Sequence, residues 1–442
     1  MLKANASIAT QCRKWILLSL ILSGSAVADV SLIGANPAGN AESGLPAWEG
    51  GVTSPPPGFD SAQGYKNPFE GDKPLFAVDA SNMGEHARVL TPGLQQLLKR
   101  FPDYRLPVYP SRRSVAFNEA YYKAAAAEAP QIRLVKEGRA LQGQQRSSVP
   151  FPQPKSGVEA IWNVIMRRPA DTVVSASATF AVDGSNPPKP VVSSEKLAWS
   201  PHFSSRNNPA DWVFVIAETI KPASMTGDAL LVHESTDFVD EQRRSWTVNA
   251  GQRRVVRLPE LTFDAPAGNS DALRTVDDVA GFNGSPERFE WKLLGKQEML
   301  VPYNSYALTR KSLKYAQIPK PILPDTGLLR YELHRVWVLE ARLKPGMRHV
   351  YSKRVYYIDE DSWNIVLADQ YDSRGELWRT RQMFTFQAYN SPGPYSAGEV
   401  LFDFQVRKAL YSGFQNEEKP VEFNRKLNPS DFTVDALRRM IR

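Results

Sequence analysis

The chain has 442 residues, with 54 Lys and Arg against 47 Asp and Glu, and one Cys, Cys12. Lys3, Arg13, Lys14 and Cys12 fall in a leader that reads as removable, which leaves 51 basic and 47 acidic residues, a net charge of +4. So mild a surplus gives no electrostatic case for nucleic acid, and a mature chain without Cys has no disulfide, thiolate nucleophile or Cys metal site.

The leader is residues 1–28. Its basic start, the short apolar run Trp15–Ala26 and the small-x-small end Ala26-Val27-Ala28 read as a cleaved secretory signal. The run is too short to cross a bilayer, and no later stretch approaches about 18 consecutive apolar residues. The expected location is the periplasm. About 410 mature residues are enough to build an ordinary core as one large β domain or as two domains.

Residues 29–90 are rich in Gly and Pro, as in "GANPAGNAESGLPAWEGG", which disfavours helix and central strand alike. Trp48, Phe59, Tyr65, Phe69 and Phe76 recur through it, whereas disordered tails are depleted in aromatics. The expectation is an ordered, extended arm, with Trp48 as its anchor.

A helical segment, 91–170, follows and is expected to pack on a sheet. Thr91 caps "PGLQQLLKRF", Asn118 opens an Ala-rich helix stopped by Pro130, and Ser156 with Glu159 forms a capping box before Val158, Ile161, Trp162, Ile165 and Met166. From 171 to 429 the texture is strands between short turns, roughly ten of them, paired antiparallel in sequence order. A short C-terminal helix, 430–442, closes the chain. The fold class is α+β, mainly β. Charges on both faces of strands such as "HRVWVLEARL" argue against an outer-membrane barrel.

No G-x-S-x-G elbow, H-E-x-x-H, P-loop or G-x-G-x-x-G is present. Five scattered His residues (86, 202, 233, 334 and 349) read as surface or satisfied, partly buried residues without ligand spacing. The acids of "IDEDS", Asp359–Ser362, read as a solvated turn, and Asp277-Asp278 as the cap of a short helix. The doublets Arg243-Arg244 and Arg253-Arg254 read as solvated strand faces. No catalytic group, metal site or cofactor is expected. Aromatic residues crowd the strands, and a curled sheet with large apolar side chains inside shields a lipid well.

The blocks "GANPAGNAESGLPAWEGG", "PFPQPKSGVEAIWN", "AGQRRVVRLPEL", "DALRTVDDVAGFNGSPERFEWKLLGKQEMLVPYN" and "HVYSKRVYYIDEDSWNIVLADQYDSRGELWR" together resemble an exported proteobacterial family. It is catalogued as a domain of unknown function and labelled outer membrane lipoprotein-sorting protein. The resemblance implies a fold similar to LolA and LolB: a strongly curved antiparallel sheet, an incomplete barrel, with helices over an apolar cavity. It implies a hydrophobic cargo and partners in an RND-type permease and an outer-membrane protein. The long N-terminal arm and extra helices depart from those carriers, which leaves a sterol-like cargo as open as a lipid.

The expected protein is therefore a periplasmic carrier of a lipid or other apolar molecule, not an enzyme. Trp162, Trp291, Trp337, Leu339, Trp378, Phe384 and Phe386 are expected to line its cavity. The alternative is a scaffold that links permease and outer-membrane partner without cargo.

Overall fold

The computed structural model describes residues 30–144, 146–203, 208–249, 251–252, 254–258 and 263–440. The segment expected to be a secretory signal, Arg253 and Arg442 lie outside the described residues. The arm runs from 30 to about 75 with little regular structure. Strands β1 (Phe76–Val78) and β2 (Leu106–Val108) flank helix α1 (Pro92–Arg100). Helix α2 (Glu119–Glu128) leads to the hairpin β3 (Arg133–Val135) and β4 (Ala140–Gln142), then to helix α3 (Gly157–Met166).

Two meanders follow. The first is β5 (Thr172–Val182), β6 (Val191–Trp199), β7 (Asp211–Lys221), β8 (Ala229–Ser235), β9 (Arg244–Asn249) and β10 (Arg254–Leu258). The second is β11 (Phe289–Pro302), β12 (Tyr331–Leu343), β13 (Lys353–Asp359), β14 (Ile365–Tyr371), β15 (Leu377–Gln387), β16 (Pro394–Asp403) and β17 (Lys408–Phe414). Short β18 (Glu422–Phe423) pairs β5, and helix α4 (Val434–Arg439) closes the chain.

Pairing of β17 with β5 fuses the meanders into one 16-stranded sheet. All its named pairings are antiparallel except a single parallel contact of β12 with β2 at Tyr331 and Val108. The sheet is curved but not closed: β1 and β10 end the strand order. It holds more than the expected ten or so strands: β5–β17 alone make thirteen, and short β1, β2 and β18 are added to them.

The helices form where capping chemistry places them. Thr91 Oγ1 accepts from Leu94 N–H (3.1 Å), Asn118 Oδ1 from Tyr121 N–H (2.9 Å) and Ser156 Oγ from Glu159 N–H (3.2 Å). The Ser156 box is half formed, since Glu159 turns back to the Lys155 N–H instead (2.5 Å). Helix α3 is buried nearly all round, between β11 and the β3–β4 hairpin, where Trp162 Nε1 donates to the Gly138 carbonyl (2.8 Å).

Helix α1 lies on β14 and β15, with Leu94, Leu97 and Leu98 fully buried. Its approach is close. A Cβ on Gly93 would stand 2.1 Å from both Asp369 Oδ1 and Thr380 Oγ1. Asp369 accepts from Gly93 N–H (2.9 Å) and Thr380 Oγ1 (2.8 Å), yet burial still pushes its carboxyl up to about 6. Lys353, Tyr357 and Tyr371 are the other titratable groups that act on it. A raised folded value means stability that is fully present below the unfolded value near 4 and lost as pH rises to 6. Asp369→Asn should therefore stabilise the protein by roughly 1–3 kcal/mol at pH 7 and by nothing below about pH 4. Urea unfolding from pH 4 to 7 checks this: wild type should weaken across the range by more than the variant.

Candidate functional site

Register fixes which expected lining residues can meet. Trp337, Leu339 and Ala341 stand opposite Ile358, Tyr356 and Arg354, and Trp291 opposite Ala341, so these share one face. The same row runs through Ala368 and Gln370 to Arg381 and Arg379. Gln382, and with it Phe384 two positions on, faces the other way. The expected lining set is thus split across the sheet.

Each of these residues is packed against protein. Trp162 sits in a separate cluster with Trp199, Trp212 and Phe238. Trp291, Trp337, Leu339, Phe384 and Phe386 belong to the main core. Trp378 is half-buried beneath the Arg379 guanidinium, 4.1 Å from its ring centre. Trp48 is buried, and its Nε1 donates to the Val115 carbonyl (2.8 Å).

Two recesses lie under the arm. One, of about 530 Å³, is roofed by residues between Gly58 and Asp72 and floored by Tyr109, Tyr306 and Leu328. A smaller one, of about 40 Å³, shares Gly64, Tyr65 and Lys311 with it and reaches Phe386. Tyr65 lines both, with its ring 4.6 Å from Phe386 and 5.3 Å from Tyr389, centre to centre.

The arm's start is bolted to the turn between β13 and β14. Trp363 Nε1 donates to the Ile33 carbonyl (2.8 Å) and Lys296 Nζ to that of Gly34 (3.1 Å). Arg113 and Arg335 both donate to the Asn36 carbonyl (2.8 and 3.0 Å). These cations also pair with the turn: Lys296 and Arg335 with Glu360 (2.7 and 2.8 Å), Arg113 with Asp361 (2.6 Å).

The solvated turn expected at Asp359–Ser362 is therefore corrected. All four residues are at most 3% exposed, because the arm lies over them. Asp359 differs from its neighbours in having no cation in contact. Its Oδ2 accepts from Ser362 Oγ (2.5 Å) and Tyr303 OH (3.2 Å), while Oδ1 is buried without a partner. Burial, then Asp361, pushes its carboxyl up to about 7. His334 lies beside it, stacked on Tyr303 at 3.7 Å, with Nε2 3.0 Å from Glu332 Oε2. The reading of His334 as an unremarkable residue missed this cluster; the only signal was Glu332 and His334 two apart on one strand.

A second buried network covers the face that carries Arg354. Asp277 and Asp278 do cap a short helical turn after Thr275, as expected, but they also pair with Arg354 at 2.6 and 3.5 Å. Arg381 joins Glu399 (2.5 Å), Arg274 joins Glu399 (2.7 Å), and Arg379 joins Asp403 (2.8 Å). His349 is also buried here, 3.2 Å from Asp277. Arg243, expected on a solvated face, is buried against Glu234 (2.7 Å). Five arginines face five acids, so this network reads as structural.

Residues 77–438 match the family described as "Protein of unknown function (DUF1329)". The chain belongs to the DUF1329 family. An uncharacterized protein of Pseudomonas aeruginosa is 40% identical over 413 residues, 92% of this chain and 90% of that protein. Among solved structures, a putative outer membrane lipoprotein-sorting protein domain from Vibrio parahaemolyticus is similar at 15% identity, with 64% of this chain and 99% of that one covered and a TM-score of 0.45. A DUF1329 family protein from Desulfovibrio piger gives 13%, 64%, 97% and 0.45. A LolA superfamily protein from Nitrosomonas europaea gives 13%, 64%, 100% and 0.37. The DUF1329 match begins at Ala77, so the bolted segment and the roof of the larger recess lie ahead of it.

Proposed function

We propose that the protein is a periplasmic carrier that holds a lipid or another apolar molecule, without catalysis, for transfer between inner and outer membranes with an RND-type permease and an outer-membrane partner. The observation that supports it is the recess of about 530 Å³ under the arm, a volume typical of ligand pockets, where Tyr65, Phe69, Tyr109 and Tyr306 share the wall with charged groups such as Arg310, Lys311 and Arg330 that suit a polar head on the cargo. Tyr65 acts as the gate. If its ring lifts from Phe386, an apolar chain passes from the recess toward the sheet and gains about 0.8 kcal/mol per buried methylene. The rings expected to line a cavity are core in this closed form, and a cargo reaches them only by displacing covering segments.

Native mass spectrometry with lipid extraction, on protein purified gently from the periplasm, should find a bound apolar molecule. Delipidated protein should bind a fluorescent fatty acid, and Tyr65→Ala should release it at least several-fold faster. Protein that is empty and also refuses added lipid overturns the carrier.

One observation favours a scaffold as second reading. Edge strand β1 exposes apolar Phe76 (41%), with Leu75 (63%) just ahead of it, a surface onto which a partner strand could add. In-cell crosslinking separates the two: the scaffold requires partner capture that is lost when the arm is deleted.

A further inference from the structure

We propose that His334, Asp359 and Asp361 form a binding site for one divalent first-row metal ion, of the zinc or manganese kind. One ligand atom from each lies within 4.8 Å of the others, and all three residues are 1% exposed. Donor atoms around such an ion stand roughly 3–4 Å apart, so a small inward adjustment completes the set.

Three features mark the cluster as more than adjacent acids. The first is the Asp359 Oδ1 atom, a buried acceptor with no donor. Hydroxyls of Ser362 and Tyr303 hold Oδ2 and thereby fix where Oδ1 points. A buried carboxylate oxygen without a partner is costly, and a bound metal ion satisfies it.

The second is the orientation of His334. Glu332 takes the hydrogen at Nε2 (3.0 Å) and is itself held by Arg330 (2.5 Å) and Asn304 (2.9 Å). That selects the tautomer whose Nδ1 keeps its lone pair, the usual arrangement behind a metal-bound imidazole. The third is charge. Glu332, Glu360 and Asp361 each contact a cation, while Asp359 contacts none. Arg113 grips both oxygens of Asp361 (2.6 and 2.9 Å), which leaves a lone pair on each and holds the group in place. One imidazole with two carboxylates suits zinc or manganese better than calcium, which takes six to eight oxygens.

The test uses the full mature chain without a His tag. Elemental analysis of protein purified without chelator should find close to one equivalent of zinc or manganese. After removal with a chelator, added Zn²⁺ or Mn²⁺ should raise the melting temperature, and isothermal titration should give one site. Asp359→Asn should weaken binding at least tenfold and still fold, since it removes a buried unpaired charge. Two outcomes overturn the site: no metal bound with no thermal shift, or equal binding by wild type and Asp359→Asn, which would locate any ion elsewhere.

Discussion

Arg354→Met should destabilise the protein by about 3–5 kcal/mol at neutral pH, the typical cost of breaking a buried ion pair by removing one partner. Arg354 is fully buried, 2.6 Å from Asp277, and its guanidinium lies 4.4 Å from the centre of the Phe289 ring. Burial alone would raise the Asp277 carboxyl, but Arg354 and then His349 hold it well below the usual carboxylate range. In wild type that pairing contributes stability above pH 4, lost only as pH falls further. Without Arg354 the sign reverses at Asp277: only His349, 3.2 Å away, is left to oppose its burial, so its protonation eases folding and the variant should regain stability below neutral pH. Chemical denaturation at pH 7 and pH 5 checks this. Adding Asp277→Asn and Asp278→Asn should recover part of the loss, as a double-mutant cycle would show.

Gly34→Ala should release the arm. Gly34 has φ +90°, and a Cβ there would stand 1.7 Å from the Pro152 carbonyl oxygen. No side-chain adjustment relieves a clash with backbone. The strain of a positive φ adds to it, so a local cost of about 2 kcal/mol or more is expected. Because the arm meets the sheet through discrete bonds at Ile33, Gly34 and Asn36, the expected result is local detachment with the sheet intact. Hydrogen exchange should show lost protection over residues 33–52, and limited proteolysis should cut there. Trp363, which bonds the Ile33 carbonyl, should change its fluorescence. A global drop in melting temperature with an arm that stays protected would count against this.

The sequence-based reading was strongest where the chemistry is local. The Thr91, Asn118 and Ser156 caps sit within three residues of the groups they satisfy, so α1, α2 and α3 start where expected. The antiparallel meander also follows from its short turns. The sheet faces did not follow, for a physical reason. Positions in β13 and β14 are buried almost without interruption, since the sheet is covered on both sides, and period-2 contrast disappears. The arm was recognisable from its aromatic residues, but not its seat. Arg113 and Asp361 lie 248 positions apart, and Asp277 and Arg354 lie 77 apart, so only the tertiary packing of loops against the sheet brings these charges together. The acids at Asp359–Ser362 looked like a turn because they are one; their burial depends on chain more than three hundred residues earlier.

That distance bears on how the molecule is made. The Ile33 carbonyl waits for Trp363, 330 positions later, and β5 waits for β17. On a ribosome the first half emerges long before either partner exists. Closing so large a loop must precede the contacts that reward it, which makes folding slow and largely post-translational. In the interval β5 presents an unpaired edge of eleven residues, and a holding chaperone would be expected to shield that strand.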